Sequence, residues 1–316
     1  MTAITGCHTF NPVSSPRYTS FMHPPVRLVA IDMDGTLLPT FAQKLSPRVL
    51  AALRAAHDSG ITIAVATGRR FAYTLPILQG LGLPAAMPLI TSNGAVLRTL
   101  SGDLLHCDYM QASVARQLCG LLRPFGAVVF TFDRPGRGEL VLEDLEQTHG
   151  RISLWVEANR NAIEVIKPLE RAFDHGEDPI QGMVTGHISK MREAEAALKS
   201  SPLADACGCA CTVYPARDLS ILDLLPIGVT KATALARLAA RLGIDRKETM
   251  AIGDNWNDVD MMEWAAQAVV MGNAAVELRT LAKTRGWKQA PPNDQDGVAV
   301  VLERLIKSNA KAPARV

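Results

Sequence analysis

Apolar residues are distributed along this chain in two different rhythms. Val26–Ile31 (VRLVAI) is an unbroken apolar run that stops at Asp-Met-Asp-Gly, the pattern of a strand buried on both faces of a parallel sheet. Ser46-Pro47 then opens a helical pattern through Val49, Leu50, Leu53 and Ala56, and Gly60 ends it. Ile61–Ala66 (ITIAVA) predicts a second buried strand, stopping at Thr-Gly-Arg-Arg, and Pro88–Ala95 (PLITSNGA) a third with a turn. This strand–helix–strand–helix–strand order predicts an α/β fold with a Rossmann-like parallel sheet.

Between about Ala95 and Leu225 the rhythm changes. VLRTL, GAVVFTF, GELVLE, SLWVE and ILDLLP read as short strands, ASVARQLCGLL and SKMREAEAALKS as helices, and Phe173–Gly182 as an exposed loop. That α+β pattern predicts an inserted domain. The α/β rhythm resumes with an amphipathic helix from Lys231 to Leu242 ended by Gly243, a strand TMAIGD, a helix VDMMEWA, a strand and turn AVVMGNA, and a closing helix VAVVLERLI. The expected layout is a core made of residues 26–94 and 227–316, split by an insert at 95–226. Residues 1–25, rich in Ser, Thr and Pro, read as a flexible arm without the apolar segment of a signal peptide, and Lys307–Val316 as a frayed tail. Met22 is a candidate alternative start.

Composition narrows the function classes. The chain has 316 residues, 48% of them hydrophobic, and 33 basic against 31 acidic residues give a net charge of +2. A chain this long folds without disulfides or a structural metal. A balanced charge argues against nucleic acid or an anionic membrane surface as partner, and no apolar run approaches the length that spans a bilayer. Of the six cysteines, Cys207, Cys209 and Cys211 form a Cys-Gly-Cys-Ala-Cys run. Ligand pairs for zinc are usually separated by two residues or more, so packing in a strand is the expectation here. The absence of a disulfide pattern fits a cytoplasmic protein, monomeric or homodimeric.

The chemistry concentrates where apolar strands end. In open α/β sheets ligands bind outside the carboxyl ends of the strands. Asp32 and Asp34 are spaced to share one face, with Gly35 and Thr36 forming the turn, and suit a divalent cation or nucleophile and acid/base work. Thr67 and Gly68 offer a hydroxyl and a bare amide to a phosphate, and Arg69 beside them is structural or catalytic. At a helix start, Asp254 is either the cap, with Asp258 in the first turn favourable to the helix dipole, or a cation ligand, with Asn257 contacting substrate or a phosphate oxygen. Lys231, at a helix start after Gly-Val-Thr, is a counter-charge for these acids.

The ordered set DMDGTLL, ATGRR, SNGA, GVTK, GDNWND, MGNA and DGVA resembles the haloacid dehalogenase-like phosphatases, and among them the Cof-type subfamily with a large α/β cap between its second and third motifs. The resemblance runs from about Val26 to Ile306. It implies a nucleophile at Asp32 that forms an aspartyl-phosphate, and an acid/base at Asp34. It implies phosphate contacts from Thr67, Lys231 and Asn257 and from the backbone amides of Met33 and Gly68. It also implies Mg²⁺ held by Asp32, Asp254 and the backbone carbonyl of Asp34. The substrate class it implies is a small phosphate ester, a sugar phosphate or similar metabolite. Thr230 and Ala232 stand where the family usually has Ser and Gly, and Asn255 and Trp256 fill the free positions of the fourth motif, with Trp256 expected against the cap or in a hinge. Asp223 matches an acidic position near the cap hinge. Two alternatives remain. A phosphomutase needs cap arginines facing the site, for which Arg134, Arg137 and Arg151 are available. A non-catalytic phosphate-binding regulator would need a broken motif set, and here the set is intact. A nicotinamide-binding protein is disfavoured because no Gly-x-Gly-x-x-Gly follows the first strand.

Overall fold

The computed structural model describes residues 24–39, 44–134, 136–145 and 150–311. The expected arm therefore lies almost wholly outside the described residues, as do Met22 and the last five positions.

Strands β1 (Leu28–Asp32) and β2 (Thr62–Ala66) flank helix α1 (Pro47–Asp58), and helix α2 (Phe71–Leu78) leads to β3 (Pro88–Thr91), β4 (Val96–Thr99) and β5 (Leu104–Cys107). A second group follows: helix α3 (Ala112–Leu122), β6 (Val128–Thr131), β7 (Leu140–Leu142), helix α4 (Ser153–Asn159), β8 (Ile163–Val165), β9 (Gln181–Gly186), helix α5 (Ile188–Lys199), β10 (Cys207–Tyr214) and β11 (Leu219–Pro226). The chain then returns through helix α6 (Lys231–Arg241), β12 (Thr249–Gly253), helix α7 (Val259–Trp264), β13 (Gln267–Val270), helix α8 (Val276–Thr284), β14 (Lys288–Gln289) and helix α9 (Gly297–Asn309).

Two sheets result. One has eight strands in the order β14-β13-β12-β1-β2-β3-β4-β5, and the other six in the order β10-β11-β9-β6-β7-β8. In the first, β14 through β3 run parallel, which is the expected Rossmann-like core. The apolar run of β1 follows from its central place. Val29 and Ile31 pack with Leu53 of α1 and Leu302 of α9, while Leu28 and Ala30 pack with Leu235 and Leu238 of α6 on the opposite face. The second sheet is covered on one side by α3 and α5, where Leu118, Leu122, Met191 and Leu198 meet Phe130, Leu222 and Leu224.

Local chemistry sets the helix starts. The Ser46 hydroxyl accepts from the Val49 amide at 3.1 Å, and Pro47 occupies the first turn of α1. Thr230 and Thr233 form a reciprocal capping box at α6, which fixes the direction in which Lys231 leaves the helix.

The structure corrects three expectations. Residues 96–107, assigned from sequence to the insert, belong to the core sheet as β4 and β5. Asn93 has φ +51°, a tight reversal that sends Val96–Thr99 back antiparallel to β3. The inserted sheet therefore starts after Cys107, not after Gly94. SLWVE is helical: Ile152, Trp155, Val156 and Asn159 turn inward, a 3.6-residue period that five residues alone do not reveal. The tail is ordered further than expected, since α9 continues to Asn309, whose amide donates to the Val26 carbonyl at 2.7 Å. The cysteine run lies in a strand as expected. Burial pushes the Cys207 thiol up to about 12 and raises Cys209 and Cys211 as well, so these thiols stay protonated and inert.

Candidate active site

The carboxyl ends of β1, β2, β3 and β12 bring together the four polar clusters marked by the sequence. Asp32 ends β1 and is buried. Lys231 is fully buried, and its Nζ donates to Asp32 Oδ1 and to Asp258 Oδ1, each at 2.6 Å. Burial works against the ammonium charge, but Asp258 and Asp32 outweigh it and raise the Lys231 pKa. Asp258 also shapes the backbone. Its Oδ2 accepts from the amides of Asp254 and Asn255, both at 3.0 Å, closing the turn after β12.

Asp254 faces Asp32 across the turn after β1. Thr36 Oγ1 donates to Asp254 Oδ1 at 2.8 Å. Gly35 sits at φ +80°, and a Cβ there would fall inside the Asp254 carboxylate, so only glycine permits the approach. Asn273 of the MGNA motif and Asn293, three residues before DGVA, act as scaffold behind it: Asn273 donates to the Gly35 carbonyl at 2.7 Å, and Asn293 to the Leu38 carbonyl at 2.9 Å.

Carboxylate oxygens of Asp32, Asp254 and Asp258 lie within 4.8 Å of one another, and among the described residues this is the only grouping of three or more His, Cys, Asp or Glu side chains that could hold a metal ion. The thiols of Cys207, Cys209 and Cys211 form no such group. Burial first, then the Asp258 charge, raises the pKa of Asp32, and burial followed by the Asp32 and Asp258 charges raises that of Asp254, in both cases against the pull of Lys231. Three carboxylates face one ammonium, so the site is short of positive charge. An all-oxygen donor set of this kind suits a hard divalent cation such as Mg²⁺.

Thr67 is buried at the end of β2, where its hydroxyl accepts from the Arg69 amide at 3.1 Å and its carbonyl from the Asn93 amide at 3.0 Å. Gly68 lies against the Asn93 amide group at a distance that a Cβ would crowd. The Met33 side chain is buried in the core under β1, leaving its backbone at the turn. Asp34 is held by Arg69, whose Nε donates to Asp34 Oδ2 at 2.7 Å and a second guanidinium nitrogen to Oδ1.

Asn257 does not stand alone. It donates to Asn93 Oδ1 at 3.1 Å, Asn93 donates to Asp223 Oδ2 at 2.8 Å, and Gln181 of β9 donates to Asp223 Oδ1 at 2.7 Å. This chain of amides ties the fourth motif to the inserted sheet. A second tie comes from Asn255, whose amide pairs with both backbone groups of Val213 on β10, at 3.2 and 3.0 Å. A third is Arg70, which donates to Glu139 just before β7 and to Asn159 at the end of α4. Trp256, expected against the insert or in a hinge, is 39% exposed, and the hydrogen bonds to the insert come from its neighbour Asn255. Sequence reasoning missed Asn93, Arg70 and Asn255 as connectors because their partners lie far away in the chain.

A family model for haloacid dehalogenase-like hydrolases matches residues 29–302, which include every site residue above. The chain belongs to this family.

Among relatives of this haloacid dehalogenase-like hydrolase, a phosphatase named YwpJ from Bacillus subtilis is 27% identical over 308 residues, covering 89% of this chain and all of that protein. An HMP-PP phosphatase from Escherichia coli is 30% identical over 263 residues, covering 80% of this chain and 86% of the other. A solved haloacid dehalogenase-like hydrolase from B. subtilis superposes with a TM-score of 0.72 at 26% identity, covering 89% of this chain and 100% of that one. The chain is a phosphatase of this family. Among the described residues, no helix is long and apolar enough to cross a membrane.

Proposed function

We propose that this protein is a Mg²⁺-dependent phosphomonoester hydrolase that works through an aspartyl-phosphate on Asp32, with a sugar phosphate or similar small metabolite as substrate. The observation that carries the reading is the buried Lys231 bonded to both Asp32 and Asp258 beside Asp254. Nucleophile, counter-charge and cation ligands are thereby fixed before substrate arrives, and such preorganisation is how phosphoryl transfer is mainly stabilised.

Asp32 attacks phosphorus, and the bond from phosphorus to the ester oxygen breaks. Asp34 gives its proton to that oxygen, then takes one from the water that attacks the phosphorylated Asp32, which releases phosphate and restores the carboxylate. Lys231, Thr67 and the backbone amides of Met33 and Gly68 bind the phosphoryl oxygens. Asn257 reaches the same group from the fourth motif. Mg²⁺ would be held by Asp32, Asp254 and the backbone carbonyl of Asp34, and would supply the positive charge that keeps the Asp32 carboxylate ionised and screens it from the phosphate.

In this reading the six-stranded sheet and its helices are a cap that covers the site and selects the leaving group. The HMP-PP phosphatase relative supports a small-metabolite substrate. Of the cap arginines that the mutase alternative needs, Arg134 is bonded to Glu177 and to the Gly138 carbonyl and Arg137 is exposed, which gives that alternative no support, and the Arg151 side chain lies outside the described residues. Free thiols at Cys107, Cys119, Cys207, Cys209 and Cys211 fit a reducing cytoplasm.

The test is release of phosphate from p-nitrophenyl phosphate with and without Mg²⁺. Turnover that disappears with EDTA and returns with added Mg²⁺ is the expected result. Equal turnover in EDTA would reject the cation's part, and no turnover with Mg²⁺ would reject the reading.

A further inference from the structure

Between β3 and β4, Ser92, Asn93 and Gly94 follow one another at positive φ, +50°, +51° and +108°. Residues other than glycine seldom take that conformation, and backbone of this kind collects at functional sites. A close approach demands Gly94: a Cβ there would lie 2.3 Å from the Thr230 carbonyl oxygen, beside Lys231. On its other side the turn leans on the second motif, where the Asn93 amide group lies against Gly68. The chain thus accepts a costly turn to put one side chain, Asn93, between its second, third and fourth motifs.

That side chain is 1% exposed, and its direction is fixed. Asp223 accepts at both oxygens, from Gln181 Nε2 at 2.7 Å and from Asn93 Nδ2 at 2.8 Å. Because Asp223 accepts, Asn93 turns its NH2 toward Asp223 and its carbonyl oxygen the other way. Asn257 Nδ2 donates to that oxygen at 3.1 Å, so each amide sets the next. Asn257 uses one N–H on Asn93 and keeps a second on the same nitrogen. An ionised phosphoryl oxygen can only accept, and a reversed Asn257 would put its carbonyl oxygen where that second N–H now is. Asp223 and Gln181 belong to β11 and β9, so the setting originates in the inserted sheet.

We propose that Asn93 is a positioning residue of the reaction: held by Asp223, it fixes the Asn257 amide with an N–H toward the transferring phosphoryl group. The inference rests on the proposed function, which gives Asn257 its phosphoryl contact.

The test is a double-mutant cycle, read as kcat/KM for p-nitrophenyl phosphate with Mg²⁺. Asn257→Ala removes a hydrogen bond to a charged group, and a fall of about 10- to 100-fold is expected. Asn93→Gly removes the amide but keeps a residue that accepts positive φ, and a fall of about 3- to 10-fold is expected, as for one neutral hydrogen bond. In the Asn257→Ala background, Asn93→Gly should cost nothing further, because nothing is left for it to position. Losses that multiply would make Asn93 a support of the fold alone and overturn the inference. Full activity of either single variant would overturn it too. Asp223→Ala leaves the turn sequence intact and repeats the cycle, with the same pattern expected: a loss of about 3- to 10-fold that vanishes in the Asn257→Ala background. That second cycle decides the matter if Asn93→Gly does not fold. Any of these contrary results leaves the proposed function standing as long as the unaltered protein hydrolyses the aryl ester with Mg²⁺. No turnover by the unaltered protein would overturn the proposed function and this inference with it.

Discussion

Arg69 holds Asp34 through two guanidinium nitrogens, with Nε 2.7 Å from Oδ2, and lies over the Tyr73 ring 4.9 Å from its centroid. A carboxylate gripped in this way has one orientation. If Asp34 is the acid and base of the reaction, Arg69 is the residue that aims it. Lysine keeps the charge but not the fork. Arg69→Lys is therefore expected to lower kcat about 10-fold on a sugar phosphate, by analogy with other hydrogen bonds to charged groups. The loss should be smaller on p-nitrophenyl phosphate, whose leaving group needs little protonation. Parallel losses on both esters would speak against an aiming role.

Asp34→Asn separates the two chemical steps more sharply. An aryl leaving group departs without an acid, whereas hydrolysis of the phosphorylated enzyme still needs a base, which typically contributes about 10²–10⁴-fold. Stopped-flow should show a burst of nitrophenol close to one equivalent of enzyme, then slow turnover. A slow first turnover would place Asp34 elsewhere in the mechanism.

The Lys231 ammonium bridges two acids in the interior, and each pair loses its cation together if Lys231 is removed. Lys231→Met should abolish activity and destabilise the fold by about 3–5 kcal/mol, the usual cost of leaving a buried ion unpaired. Adding Asp258→Asn should restore part of that stability and none of the activity. Urea denaturation in EDTA measures both. A double variant no more stable than the single one would mean that Asp258 matters for closing its turn rather than for charge.

Asp223 gives a pH-dependent signature. Burial, only partly offset by Gln181 and Asn93, raises its pKa from 3.8 to about 7. The folded state then binds this proton more tightly than the unfolded state. The contribution favours folding below about pH 4 and is lost as pH rises toward 7, with a slope of up to about 1.4 kcal/mol per pH unit. Asp223→Asn should flatten the stability curve between pH 5 and 7. An unchanged slope would contradict the assignment.

The sequence made the reacting centre readable because each motif interrupts an apolar strand, and strand ends in a parallel sheet converge on one side. Asp32, Thr67 and Asp254 follow such strand ends, whereas Lys231, at the start of α6, was legible through the resemblance and as a counter-charge to these acids. The turn at Ser92–Gly94 was readable, but not that the strands after it, β4 and β5, pair back onto β3 and extend the core sheet, because nothing local distinguishes these short strands from those of the insert. The helix at Ser153–Asn159 is too short for its period to stand out.

The central claim is that Asp32 is the nucleophile. Asp32→Asn keeps the side-chain shape and can still accept from Lys231 through its amide oxygen, so the fold should survive. The deciding measurement is p-nitrophenyl phosphate turnover by Asp32→Asn with Mg²⁺, alongside circular dichroism and a melting curve. A native-like spectrum with turnover at background is the expected result, and turnover at the level of the unaltered protein would contradict the account.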